Sequence, residues 1–347
     1  MAVDPLCVRV TDFGAIGDNS HDDGPAIREA HNYCRTHKSG YYLPLHFPIG
    51  RYRIDSAGAI PLVSGMHWTG EGHYNDEKEY RTQIRYSKSH FFSFAGGTRE
   101  FMAFTGLCFD GRSQPYNLIE PSTSHQINYS TWDKCGFKNF NHVFDNALLG
   151  NKIMNCFFQN NLCTGNFRGS DNLIENNYIS GSNYNPGTGN SISAGADTFA
   201  MKFGSFRINW VNRNFITGRP QMAMQITGDI DATIFSGNRF DICDWSGLAM
   251  ENSSGGIFVG NSFNRCMIGQ DPDIDESFGT VSDEYDAIVR LDNCQDMGFW
   301  NNWFGYVEHG LPKGEPVKTF HMTGCTGIQI ANNLFRAPYE RLDDKDN

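Results

Sequence analysis

The chain has 347 residues and a formal net charge of −11, with 39% hydrophobic, 14% aromatic and 19% charged residues. Gly (37) and Asn (32) make up about a fifth of it, which argues against a helical bundle because both residues favour turns over helix interiors. The aromatic content excludes a disordered chain, the acidic balance disfavours general nucleic-acid binding, and no window approaches the roughly 18 apolar residues of a membrane span.

The start, Met1 to Cys7, has neither the basic region nor the apolar run of a signal peptide, so synthesis in the cytoplasm is expected. Val8-Arg9-Val10 reads as a short strand that runs into a turn-rich stretch, Asp12 to Asp18. Asp22-Asp23-Gly24-Pro25 is a helix entrance, with acids at the positive helix end and Pro in the first turn. Ala26, Ile27, Ala30, Tyr33 and Cys34 share one helical face, and Ser39-Gly40 stops the helix. Tyr41 to Leu43 and Phe47 to Ile54 read as strands broken at turns.

After about residue 85 helical periodicity gives way to a repeat. Asn, any residue, then an aromatic recurs in Asn155-Cys156-Phe157, Asn176-Asn177-Tyr178, Asn238-Arg239-Phe240, Asn261-Ser262-Phe263, Asn302-Trp303-Phe304 and Asn333-Leu334-Phe335. Cys135-Gly136-Phe137 and Arg213-Asn214-Phe215 fit with the Asn replaced or displaced. The basic period of about 20 to 25 residues suits a parallel β-helix of three short strands and three turns per coil, with aromatics stacked inside and Asn laddered at turns. The expected fold is therefore all-β: 1–55 an N-terminal cap with a capping α-helix, 56–340 a right-handed parallel β-helix, and 341–347 an acidic tail. In the same register a second column aligns Ala200-Met201-Lys202, Ala223-Met224-Gln225, Ala249-Met250-Glu251, Ile288-Val289-Arg290 and Thr319-Phe320-His321. The ten cysteines form no C-x-x-C pair and read as buried small hydrophobes in place of a zinc or disulfide framework.

The N-terminal pattern Val10, Asp12-Phe13-Gly14-Ala15, Gly17-Asp18, Asp22-Asp23, Ala26-Ile27 and Ala30, followed by Pro48, Gly50, Tyr52 and Ile54, resembles the pectate-lyase-like right-handed β-helix superfamily. The likeness is to its pectate lyase 3 and phage tailspike type. Leu62 to Gly65, Gly70-Glu71-Gly72 and Thr82-Gln83-Ile84 continue it. The resemblance implies a helix closing the first coil, a carbohydrate ligand, and a homotrimer that forms part of a virion acting at a host cell surface. The motif sets of polygalacturonases and the Asp-Pro-His-Glu run of mannuronan epimerases are missing, which disfavours both activities. The column ending Glu251, Arg290 and His321 is similar to that of the inulin fructotransferases, but Asn155 and Asn166 stand at the positions matched to their acidic pair.

Asp241, Asp244 and Glu251 form the best carboxylate group, because glycosidases need two carboxyls roughly 5 to 9 Å apart. Arg290 and His321 support them, while Lys202 and Gln225 would grip the glycan and Trp245 would stack on a sugar face. The competing reading makes Asp241 and Asp244 turn residues and pairs Glu251 with Arg290 on the neighbouring rung. Of the other tryptophans, Trp300 and Trp303 are expected one inward and one outward. Residues 181–198 read as a surface loop beside the groove. The acidic segment 270–286 carries −7 of the −11 and reads as a solvated loop or a Ca2+ site; no other cofactor is expected. The expected function is cleavage of a surface polysaccharide, hydrolysis favoured over a lyase reaction, with a non-catalytic glycan-binding appendage or an inulin or levan fructotransferase-like enzyme as alternatives.

Overall fold

The protein was analysed as a computed structural model that describes residues 7–37, 40–72, 81–87, 89–94, 96–112, 116–181, 199–218, 220, 222–243, 245–266, 287–305 and 318–335. Strands run two to nine residues, and several alternate buried and partly buried side chains, as in Thr233–Ser236 and Gly256–Val259. Among the described residues every strand pairing is parallel, and each strand pairs with its counterpart one coil away. A first sheet of twelve strands runs from Val8–Arg9 to Gln329–Ala331, and a second, also of twelve, from Asp18–Asp22 to Leu334–Phe335. The third side begins as a small sheet of Ile60–Leu62, His90–Phe94 and Asn117–Ile119. A ten-stranded third sheet runs from Arg99–Glu100 to Lys318–Thr323. The chain is a parallel β-helix.

Inside the coil aromatic rings stack at the strand spacing. Phe235, Phe258 and Phe299 follow one another with centroids 4.6 and 4.8 Å apart, and Phe240, Phe263 and Phe304 with 4.6 and 5.1 Å. The register corrects part of the aromatic repeat. Phe137 pairs with Phe158, and Ile179 and Ile216 continue that column to Phe240. Phe157, Tyr178 and Phe215 therefore stand one residue earlier, on the outer face. A one-residue slip changes face in a strand, so spacing alone could not place them. Trp300 and Trp303 both face outward, because Phe299 and Phe304 take the inward positions.

The turn from the first sheet to the second explains the Asn excess. A left-handed residue, such as Asn176, Arg213, Gly237, Gly260 or Asn301, precedes each ladder position. The ladder itself is Cys156, Asn177, Asn214, Asn238, Asn261, Asn302 and Asn333. Each side-chain carbonyl accepts the backbone N–H of the preceding rung, as Asn261 does from Asn238 at 2.9 Å. Each side-chain amide in turn donates to a backbone carbonyl and to the next Asn. Cysteine replaces Asn at Cys135 and Cys156, whose thiols donate to Phe104 and Trp132 carbonyls. Asn261→Ala leaves buried donors and acceptors unmatched, so we expect a loss of about 2–4 kcal/mol in urea unfolding.

The sole α-helix among the described residues spans Gly24–Thr36 and buries Ile27, Ala30, His31 and Cys34; a 3-10 turn at Val10–Phe13 precedes it. His31 meets the Tyr42 hydroxyl at 2.8 Å, which also accepts the Trp68 indole N–H at 2.9 Å. Asp23 at the helix entrance does not cap the helix with its side chain. Its buried carboxylate takes N–H groups of Ile16, Gly17 and Arg53, tying the preceding turn to the second sheet. Tyr42 and Leu43 form no strand; the strand begins at Leu45.

Candidate functional site

The third sheet points Met201, Phe203, Met224, Ile226, Leu248, Met250, Val289 and Leu291 inward, burying all of them. The alternate positions face out. Asn166, Lys202, Gln225, Ala249, Arg290 and His321 form one column in that order. This corrects the expected ladder at one rung: Ala249, not Glu251, lies between Gln225 and Arg290. Glu251 stands two residues on, opposite Asp292, which in turn opposes Thr323. Glu251 and Arg290 are therefore not rung partners. The missed signal lay in the turn: Asn252 and Asn293 both adopt left-handed backbone (φ 49° and 52°), and aligning them puts Glu251 beside Asp292.

Two carboxylates thus face out from adjacent strands, which lie about 4.8 Å apart. They are not equivalent. Arg290 Nε donates to Asp292 Oδ2 at 2.6 Å, whereas Glu251 makes no ion pair among the described residues. Toward the start of these strands, on the far side of the column from Glu251, Phe199, Met222, Ala249 and partly buried Trp245 form an apolar cluster separate from the coil interior. Lys202 Nζ lies 3.7 Å from the Phe199 ring centroid.

Sequence reading missed the next polar group along the sheet. The Asn166 amide donates to Asp145 at 3.1 Å, and Arg168 bonds Asp145 through both its carbonyl and its carboxylate. Burial lowers the pKa of nearby His142; Asp145 opposes this and Lys202 adds to it. Asn155 is not on this face. It lies at the turn between the first and second sheets, donating to Asp133, so it does not form a pair with Asn166. After the helix, the widest sequence separations between consecutive described strands, 182–198, 267–286 and 305–317, each fall between a second-sheet strand and a third-sheet strand.

Asp241 lies on the second sheet and is only 3% exposed. It accepts from Asn264, from Arg239, and from Arg265 through two parallel bonds of 2.9 Å. Burial raises its pKa, but the Arg265 and Arg239 guanidiniums outweigh this and hold it below its ordinary 3.8. A carboxylate so engaged is held ionised and spends its oxygens on Asn264, Arg239 and Arg265, which argues against Asp241 as the proton donor of the expected group. Its contribution to stability is complete at neutral pH and is lost as pH falls through the lowered value. Asp241→Asn should therefore flatten the thermal-stability loss below about pH 4. Asp244, the loop 181–198 beyond Gly181, the Ca2+ candidate at 270–286 and the tail 341–347 lie outside the described residues. Among the described residues no three His, Cys, Asp or Glu side chains are grouped to hold a metal.

No family model and no curated protein matches the sequence. Solved structures do. A DFA-IIIase from Arthrobacter chlorophenolicus A6 in complex with GF2 superposes with a TM-score of 0.73 at 14% identity, covering 96% of this chain and 84% of that one. The mannuronan C-5 epimerase AlgE4 A-module of Azotobacter vinelandii gives 0.55 at 13% identity over 95% and 99%. The Dettilon tailspike protein gives 0.61 at 13% identity over 95% and 62%. With its all-parallel sheets, the chain shares the parallel β-helix fold of these structures.

Proposed function

We propose that this chain binds a polysaccharide along the outer face of the third sheet and hydrolyses its glycosidic bonds with Glu251 and Asp292. The observation that carries this is the register that sets the two carboxylates on adjacent outward rungs. Such spacing is close to the roughly 5–5.5 Å of retaining glycosidases. Glu251, which has no ion pair among the described residues, protonates the glycosidic oxygen. Asp292, oriented by Arg290, attacks the anomeric carbon, and Glu251 then takes a proton from the water that releases the sugar. Lys202, Gln225 and His321 hold hydroxyls along the column, and Trp245 offers the apolar face that a sugar ring covers. The carbohydrate class is supported by the neighbours, whose names specify a mannuronan epimerase, a DFA-IIIase bound to GF2 and a tailspike.

The same proposal takes the Gly24–Thr36 helix as the element that closes the first coil, and the chain as one protomer of a trimeric virion spike. A fructotransferase-like reaction is the second reading, favoured by the 0.73 TM-score to DFA-IIIase. Digestion of a glycan panel, read by mass spectrometry, separates them. Hydrolysis gives oligosaccharides with a new reducing end, and the second reading gives a cyclic difructose from inulin or levan. An undigested panel would contradict both and leave a binding appendage.

A further inference from the structure

A second polar site lies away from the third-sheet column, where the end of the helix meets the early coils. Arg35, in the last helical turn, and Arg99, on the third sheet, line one cavity of 320 Å³ with Leu62, Val63 and Ser64. A contiguous recess of 210 Å³ shares Arg35, Val63 and Ser64 and adds Gly40, Tyr41 and Tyr42. Neither arginine makes an ion pair among the described residues, and no carboxylate lines either space. Arg99 donates to the Thr98 carbonyl at 3.2 Å, but its Nε is buried without a hydrogen-bond partner. Two guanidiniums thus face one cavity, with an unused buried donor and no counter-charge among the described residues. Burial and the Arg35 charge both lower the Arg99 pKa, as expected for an arginine with no anion beside it.

An exposed aromatic pair stands just after Arg99 along the chain, at the end of the same strand. Phe101, two residues after Arg99, stacks on Tyr129 with centroids 5.4 Å apart and planes 16° apart. The two rings are 64% and 48% exposed. Both residues hold left-handed backbone (φ 57° and 50°), rare for aromatic side chains. On the next coil Gly150 lies under Tyr129, where a Cβ would stand 2.6 Å from its ring. Gly65, beside Ser64, donates to the Glu100 carbonyl at 2.8 Å and so joins this pair and the cavity through the backbone.

We infer that the Arg35–Arg99 cavity binds an oxyanion, and that this oxyanion is the carboxylate, sulfate or phosphate of an acidic sugar whose ring rests on Phe101. The anion site stands on the two arginines alone, whereas the glycan source rests on the proposed function. Isothermal titration calorimetry of the full chain with an oligogalacturonate, a neutral malto-oligosaccharide of equal length, and sodium sulfate tests both. The oligogalacturonate should bind about tenfold or more tighter than the neutral chain, and Arg99→Gln and Arg35→Gln should each remove about tenfold of its affinity. Arg35 is exposed, so its variant keeps the test valid if Arg99→Gln fails to fold. Sulfate binding as tight as the oligogalacturonate, lost in both variants, would uphold the anion site and overturn the glycan source. Affinities for sulfate and oligogalacturonate unchanged in Arg35→Gln would overturn the site itself.

Discussion

Glu251→Gln should lower the rate of polysaccharide cleavage by about 10²–10⁴-fold, the usual contribution of a positioned proton donor. The amide keeps the shape of the side chain and its place on the outer face, so glycan binding should persist. Asp292→Asn should produce a similar loss through a different step, because it removes the attacking carboxylate while Arg290 remains. The two effects should not add, since both residues serve one reaction. Asp241→Asn is the informative contrast: it disturbs a buried ion cluster on another sheet and should alter stability with little effect on turnover. Product released from a fixed substrate, measured at saturation and in single turnover, separates chemistry from binding. Full activity in Glu251→Gln would remove the assigned acid.

Phe258→Ala should cost about 3–5 kcal/mol, the range for truncating a buried phenylalanine. Phe258 lies between Phe235 and Phe299 with planes 5° and 6° apart, so the truncation breaks two ring stacks at once. In a solenoid each repeat is held by its neighbours, so both coil interfaces weaken. The adjoining ladder is also engaged, because the Phe258 carbonyl accepts the Asn302 amide at 3.0 Å. Urea unfolding followed by near-ultraviolet circular dichroism gives the change, and a shift below about 1 kcal/mol would show that the stack is not stabilising.

The fold was readable because a coil repeats its physical demands. Each turn needs a left-handed residue and a buried amide, so Gly and Asn recur beside aromatics; Gly237-Asn238 and Gly260-Asn261 show this in the bare sequence. The helix at Gly24–Thr36 was likewise announced by Pro25 and an apolar face. The face of an individual aromatic was not readable, because Phe157 and Phe158 are adjacent and only pairing decides which goes in. The site failed to emerge for a related reason. Links of unequal length enter the third sheet, so counting from the aromatic repeat put Glu251 opposite Arg290, two residues from its true rung. Asp241 misled because, although Arg239 lies two residues away on its own strand, the bidentate partner Arg265 comes from the next coil. Arg35 and Arg99 lie 64 residues apart in the sequence, and only the helix packing brings them to one cavity.

The most direct test of the account is digestion in water enriched in ¹⁸O, with the products weighed by mass spectrometry. Hydrolysis by Glu251 and Asp292 predicts one ¹⁸O at each new reducing end, with no such product from Glu251→Gln. Products lacking the label and carrying an unsaturated end, or labelled products made equally well by Glu251→Gln, would contradict it.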